Sequence, residues 1–170
     1  MRIRSRSIWM LLCLAGLLLM VSAAQAQEMA AQPGTSLAAM KFTTIPPLPT
    51  CAKGSVASGD PTKGSSIIVA KAMTGCVFPW HWHTPNEHVI IVSGTASLQM
   101  KDAKAVTLTG GAFALMPSQH VHQFKCLRTC VLYVYSDAAF DMHYVNKQGS
   151  EITPADAMKA FREKPATEMK

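Results

Sequence analysis

Two imidazoles one residue apart, followed four residues later by a carboxylate, occur once in this 170-residue chain, in the stretch HWHTPNEH that starts at His81. On an extended strand, side chains two apart share a face, so His81 and His83 look one way while Trp80 and Trp82 look the other. Glu87 follows the turn-forming Thr84, Pro85 and Asn86, close enough to return a carboxylate to the same spot. Further on, His120 and His122 again share a face, and either is eligible as a fourth ligand. Two imidazoles and a carboxylate make a facial site for a divalent transition metal, with other positions open to substrate, water or dioxygen. A single histidine in a strand is ordinarily packed or solvated; here four of the six histidines fall into two H-x-H pairs.

Such ligands need strands to hold them. From Ser65 the sequence breaks into short strand-like runs: SIIVAKAM, CVFPWHWH, HVIIVS, TASLQMK, AVTLT, AFALMP, HVHQFKC, CVLYVYS and FDMHYV. Turn signals such as TPN, SG, KDAK and TGG separate them, which predicts an all-β sandwich or barrel. Within TASLQMK, Ala96, Leu98 and Met100 fall on one face and Thr95, Ser97 and Gln99 on the other. Residues 27–64 read as a flexible, extended N-terminal arm whose KFTTIPPLPTC segment lies over the domain and is held by Cys51. The β-domain spans 65–150, and 151–170 holds a short helix and tail: Thr153, Pro154 and Asp156 mark the helix start, and Pro165 stops it.

The spacing G-x5-H-x-H-x3-E-x6-G is met by Gly75, His81, His83, Glu87 and Gly94, and it resembles the first motif of the cupin superfamily at every defined position. The second cupin motif, G-x5-P-x-G-x2-H-x3-N, is met by Gly111, Pro117 and His122, with Gln119 in place of glycine and Cys126 in place of asparagine. The resemblance covers about residues 65–145 and implies an antiparallel β-barrel of the double-stranded helix type, with one divalent metal held by His81, His83, Glu87 and His122. Glutamine takes a positive φ only with strain, so the turn ahead of His122 is expected to be reshaped. The motif spacing falls on His122, and His120 remains the alternative ligand. Cupins with this ligand set include dioxygenases, sugar-modifying enzymes, decarboxylases and lyases, and many dimerise through an outer sheet face.

Trp80 and Trp82, facing outward, call for cover by the IPPLP arm or by a second subunit. Tyr133, Tyr135, Tyr144 and His143 are further candidates for the pocket, a tyrosine near a metal being able to donate a proton. Cys126 and Cys130 flank LRT between two strand-like runs, which is hairpin geometry and suggests a disulfide between them; Cys51 is then left for Cys76.

The N-terminus has the three-part layout of a secretory signal peptide: Arg2, Arg4 and Arg6, an apolar run from Ile8 to Val21, and small residues around a cut after Ala26. Export to a periplasmic or extracellular, oxidising compartment follows, where an even cysteine count reads first as disulfides. The run is shorter than a membrane span needs. Removing those three arginines from 16 basic residues leaves 13 against 10 acidic ones, scattered without a run or stripe, which excludes a nucleic-acid partner.

The expected function is that of an exported, mononuclear metal-binding protein acting on a small molecule. Dioxygenase-like oxidation is the first expectation, with Glu87 able to take a proton. A non-catalytic module binding metal or small ligand, or an isomerase-, epimerase-, decarboxylase- or lyase-type cupin, are the alternatives. Iron, manganese, zinc, copper and nickel all suit mixed imidazole and carboxylate ligands. No membrane is expected as a partner after processing; a homodimer is.

Overall fold

A computed structural model of the chain describes residues 34–162. The signal segment 1–26, its cut after Ala26, the start of the arm and the tail with Pro165 lie outside the described residues. Eight strands and one helix follow in order: β1 Ala52–Gly59, β2 Ser66–Ala72, β3 Val77–Trp82, β4 Glu87–Met100, β5 Val106–Thr109, β6 Phe113–Met116, β7 His122–Ser136, β8 His143–Tyr144 and α1 Pro154–Arg162. Every pairing is antiparallel.

Two long strands organise the rest. β4 and β7 pair along their whole length as a ribbon, from Glu87 opposite Ser136 to Met100 opposite His122. The first half of β4 pairs with β6, and the facing half of β7 pairs with β2, which carries β1. The other half of β4 pairs with β5, and that of β7 with β3, which carries β8. The ribbon thus contributes to two five-stranded sheets, β1-β2-β7-β4-β6 and β8-β3-β7-β4-β5, and bends between them. Its register slips around Ser93, Thr95 and Ala96, the mark of bulges, which bend strands and raise their twist. Gly94 sits at that bend with φ 92°, and a Cβ there would fall 2.1 Å from the Thr129 carbonyl oxygen, so only glycine fits.

The inward residues of both sheets, among them Ile68, Phe78, Val89, Ile91, Leu98, Phe124, Leu132 and Val134, form one core. Around it the structure corrects several expectations. HVIIVS and TASLQMK are one strand bent at Gly94, and HVHQFKC and CVLYVYS are one strand bulged at 127–129. Cys126 and Cys130 are therefore on the same strand, and both are buried free thiols, not a hairpin-spanning disulfide. Cys130 Sγ donates to the carbonyl oxygens of Arg128, at 3.0 Å, and Thr95, at 3.4 Å. Cys51 and Cys76 are joined as a disulfide.

The arm is also more ordered than its composition suggests. Ala52–Gly59 is a paired strand, and Thr43 bridges to Gly54 with both main-chain hydrogen bonds at 2.9 Å. Ile45 and Leu48 pack against the core. Gln119 adopts φ 58° itself, so the turn keeps its shape with glutamine in the glycine position. Thr153 caps α1 as expected: its Oγ1 accepts from Asp156 N at 3.1 Å and donates to Asp156 Oδ2 at 2.7 Å. Among the described residues no helix is long and apolar enough to cross a membrane.

Candidate metal centre

β3 alternates as its sequence predicts. His81 and His83 point inward and are buried, while Trp80 and Trp82 are half-buried on the outer side. Pro79, which has no N–H to give a ladder, sits where the β3–β7 register slips, the place a strand tolerates it. Its carbonyl oxygen accepts from His81 Nδ1 at 2.6 Å. His122 repeats the arrangement, donating from Nδ1 to the carbonyl oxygen two residues back, that of His120, at 2.9 Å. His83 Nδ1 donates to the main-chain oxygen of Asp141. A carbonyl can only accept, so each ring carries its proton on Nδ1 and turns Nε2 inward as a potential ligand.

Glu87 opens β4 and completes the group. Its Oε2 lies 3.2 Å from His83 Nε2 and 3.3 Å from His122 Nε2. One ligand atom from each of His81, His83, Glu87 and His122 falls within 4.8 Å of all the others, and all four residues are buried. His83 Nε2 is enclosed with the Glu87 carboxylate against it, and with the ring proton on Nδ1 two lone pairs face each other there, which is costly unless a cation engages both. Three imidazoles and one carboxylate of this geometry can hold a divalent transition ion, and the enclosed Nε2 fits that use. His120 is exposed and reaches the site through its carbonyl oxygen, while His122 is the one of the two that the fold brings into the cluster.

Without an ion, the electrostatics hold His81 neutral and set His83 as the partner of an ionised Glu87. Burial, reinforced by the neighbouring His122 and His83, holds His81 well below the usual histidine value. Burial acts the same way on His83, but the Glu87 carboxylate outweighs it and raises its value. Burial opposes ionisation of Glu87, yet His83 and His122 hold it well below the usual carboxylate range.

The segments around the metal centre are held together by polar contacts that sequence reasoning missed. Asp141 Oδ1 accepts from Thr84 N at 2.7 Å, and Asp137 accepts from Asn86 Nδ2 at 2.6 Å. Asn86 Oδ1 accepts from Ser118 N at 3.0 Å. Any residue offers a main-chain carbonyl, so nothing in the sequence marks Asp141 as the partner of His83. Phe140 stacks on the His83 ring with centroids 4.4 Å apart.

The other candidates fall elsewhere. Tyr144 is buried, but its hydroxyl donates to the Pro47 carbonyl oxygen at 2.9 Å, and burial pushes its ionisation up, so it is committed to the arm rather than to proton donation. Tyr133 and Tyr135 lie on the outer face, opposite Ile90 and His88. His143 stacks on Trp82 with centroids 3.9 Å apart, between Asp141 and Glu151. The tryptophans are thus flanked by the protein's own C-terminal segment, with α1 packed on β3, where the sequence suggested the proline-rich arm or a second subunit. That arm instead reaches the mouth of an interior cavity. Leu48, Phe140 and Met142 line it near the rim and Ile68, Ala70, Phe78, Val89, Met116, Phe124, Leu132 and Val134 line its walls; its polar residues are His81, Glu87 and His122. The cavity is small, about 50 Å³.

A cupin-domain family model matches residues 69–135. Comparison with curated proteins finds no match. Among solved structures, the chain is similar to the polyketide cyclase RemF from Streptomyces resistomycificus, with 14% identity, TM-score 0.59, and 68% of this chain and 86% of that one covered. It is similar to an RmlC-like cupin from Ralstonia eutropha, with 16% identity, TM-score 0.56, and 77% and 85% covered. A second RmlC-like cupin, from Shewanella frigidimarina, shows 14% identity, TM-score 0.54, and 64% and 92% covered. At these identities the likeness is one of fold. With that fold, the matched family model and the first-motif ligands gathered at one buried point, the chain belongs to the cupin superfamily.

Proposed function

We propose that this protein is an exported, mononuclear metal-dependent enzyme that oxidises a small molecule with dioxygen. The observation that carries the reading is the aim of the ligands: three rings tied by Nδ1 to main-chain carbonyls present Nε2, together with Glu87, to one point beside an interior cavity. A divalent ion bound there supplies Lewis acidity and, if redox-active, electron exchange with dioxygen. Glu87 is the one carboxylate at that end of the cavity and the group able to take a proton from a substrate there. The apolar walls keep water from that exchange, and Phe140 shields the outer side of His83. The Cys51–Cys76 disulfide supports folding in an oxidising compartment, in keeping with export through residues 1–26.

The test is reconstitution of purified protein with iron, manganese, nickel, zinc and copper in turn, followed by dioxygen uptake with a panel of phenols, thiols and sugars. Uptake with at least one metal form, lost in His83→Ala, supports the proposal. If every form is inert while small ligands still bind, a non-catalytic binding or sensor role takes its place. Turnover without dioxygen points instead to isomerase-, decarboxylase- or lyase-type chemistry.

We also propose a homodimer formed through the outer face of β4, β6 and β7. Ile90, Phe113, Leu115 and Tyr135 are exposed there, with Ile90 directly opposite Phe113 and His88 opposite Leu115. None of these four carries a charge, so two copies can meet without like-charge repulsion. Sedimentation should show a dimer that Phe113→Lys converts to monomer; a wild-type monomer would refute it.

A further inference from the structure

The same cavity says what kind of molecule it accepts, an inference that rests on the metalloenzyme reading but is testable apart from it. Apart from His81, Glu87 and His122, every residue lining it is apolar. Among the described residues no lysine, arginine, amide or hydroxyl side chain lines it. The wall is drawn from both sheets, with Ile68 and Leu132 from one and Phe78 and Phe124 from the other. Its rim is apolar too, closed by Leu48 from the arm and by Phe140 and Met142 from the segment before β8.

From this we infer that the substrate is an uncharged, mostly apolar small molecule with one polar head, such as a simple phenol, and that sugars and sugar acids are excluded. The head meets the end formed by His81, Glu87 and His122; the body is enclosed by the apolar walls. A sugar would bring several hydroxyls into a space that offers them no partner beyond that end. Each hydroxyl left unpaired costs roughly five- to a hundredfold in affinity. A charged group held away from that end would also face no cation among the lining residues, at a larger cost still.

The test uses the full chain loaded with Co2+, titrated with 4-ethylphenol and with galacturonate, and read by calorimetry and by the cobalt ligand-field spectrum. 4-Ethylphenol is expected to bind at least a hundredfold more tightly and to shift the spectrum. Leu48→Arg, on the half-buried arm at the rim and remote in sequence from the ligands, is expected to weaken 4-ethylphenol at least fivefold and to gain measurable galacturonate binding, with cobalt content unchanged. Galacturonate binding to wild type as tightly as 4-ethylphenol, or no saturable binding of 4-ethylphenol, would overturn the inference. If the protein takes up no cobalt, the metalloenzyme reading fails instead, and the order of calorimetric affinities alone then decides the substrate class.

Discussion

Removing the Cys51–Cys76 disulfide should lower stability by an amount the chain length fixes. The two cysteines are 25 residues apart, and the entropy of closing a loop of that size in the unfolded chain corresponds to about 3.5 kcal/mol at room temperature. For a described unit of roughly 130 residues, a loss of this size lowers the melting temperature by about 13 °C. The assay is calorimetry of metal-free protein, wild type against the Cys51→Ala/Cys76→Ala double variant, after peptide mapping without reductant has confirmed the bond and the two free thiols. The double variant leaves neither former disulfide partner as a new free thiol, and Cys126 and Cys130 stay buried as in the wild type. The disulfide also fixes the end of the segment that brings Leu48 to the cavity, so 4-ethylphenol affinity should fall with it. A melting shift below about 4 °C would refute the reasoning: β1–β2 pairing and the Thr43–Gly54 bridge would then constrain the arm without the bond.

Three other outcomes are expected. Asp141→Ala removes the acceptor of Thr84 N and loosens the main-chain oxygen that orients His83, so metal affinity should fall by about 10- to 100-fold with melting little changed; equal affinity in competition with a chelating dye would contradict this. Metal affinity should fall with acid. The raised His83 value means that a proton must leave for metal to bind, so affinity is full above that value and drops about one decade per pH unit below it, starting above pH 6.5, whereas His81 adds no competition until well below pH 6.5; a profile flat down to pH 5.5 would sink the assignment. Gly94→Ala must place a Cβ against the Thr129 carbonyl at a positive φ, and should cost at least about 2 kcal/mol in urea unfolding, an unchanged midpoint being the contrary result.

The ligand group was legible in the sequence because strand alternation is strict: once HWH is extended, its two histidines must share a face, and Glu87 follows within one tight turn. The barrel was legible from the rhythm of short apolar runs. What escaped was pairing. Leu127, Arg128 and Thr129 between two apolar runs have the composition of a hairpin loop, yet they form an exposed bulge within one strand, and only the partner's register tells a bulge from a reversal. Residues 52–59 lack the large apolar residues that mark a strand, because β1 lies at a sheet edge with much of its length exposed. The positive φ at Gln119 shows that the surrounding turn, held by Gln119 N to the His83 carbonyl oxygen and His120 N to the Pro117 carbonyl oxygen, outweighs a local preference for glycine.

The β4–β7 ribbon has a consequence for when the site comes into being. Glu87 and His122 begin their strands at opposite ends of the ladder, and a flat 14-residue strand would keep them roughly 43 Å apart. In the folded chain they are 3.3 Å apart. Their meeting is thus expected late in folding, because the ribbon must roll up before its ends can touch, and such distant closures form slowly. A nascent chain offers an ion only the local trio His81, His83 and Glu87; the fourth imidazole is a latch that arrives with closure. Metal taken up early would be held loosely and exchangeably, and metal retained at the end marks a molecule whose barrel has shut.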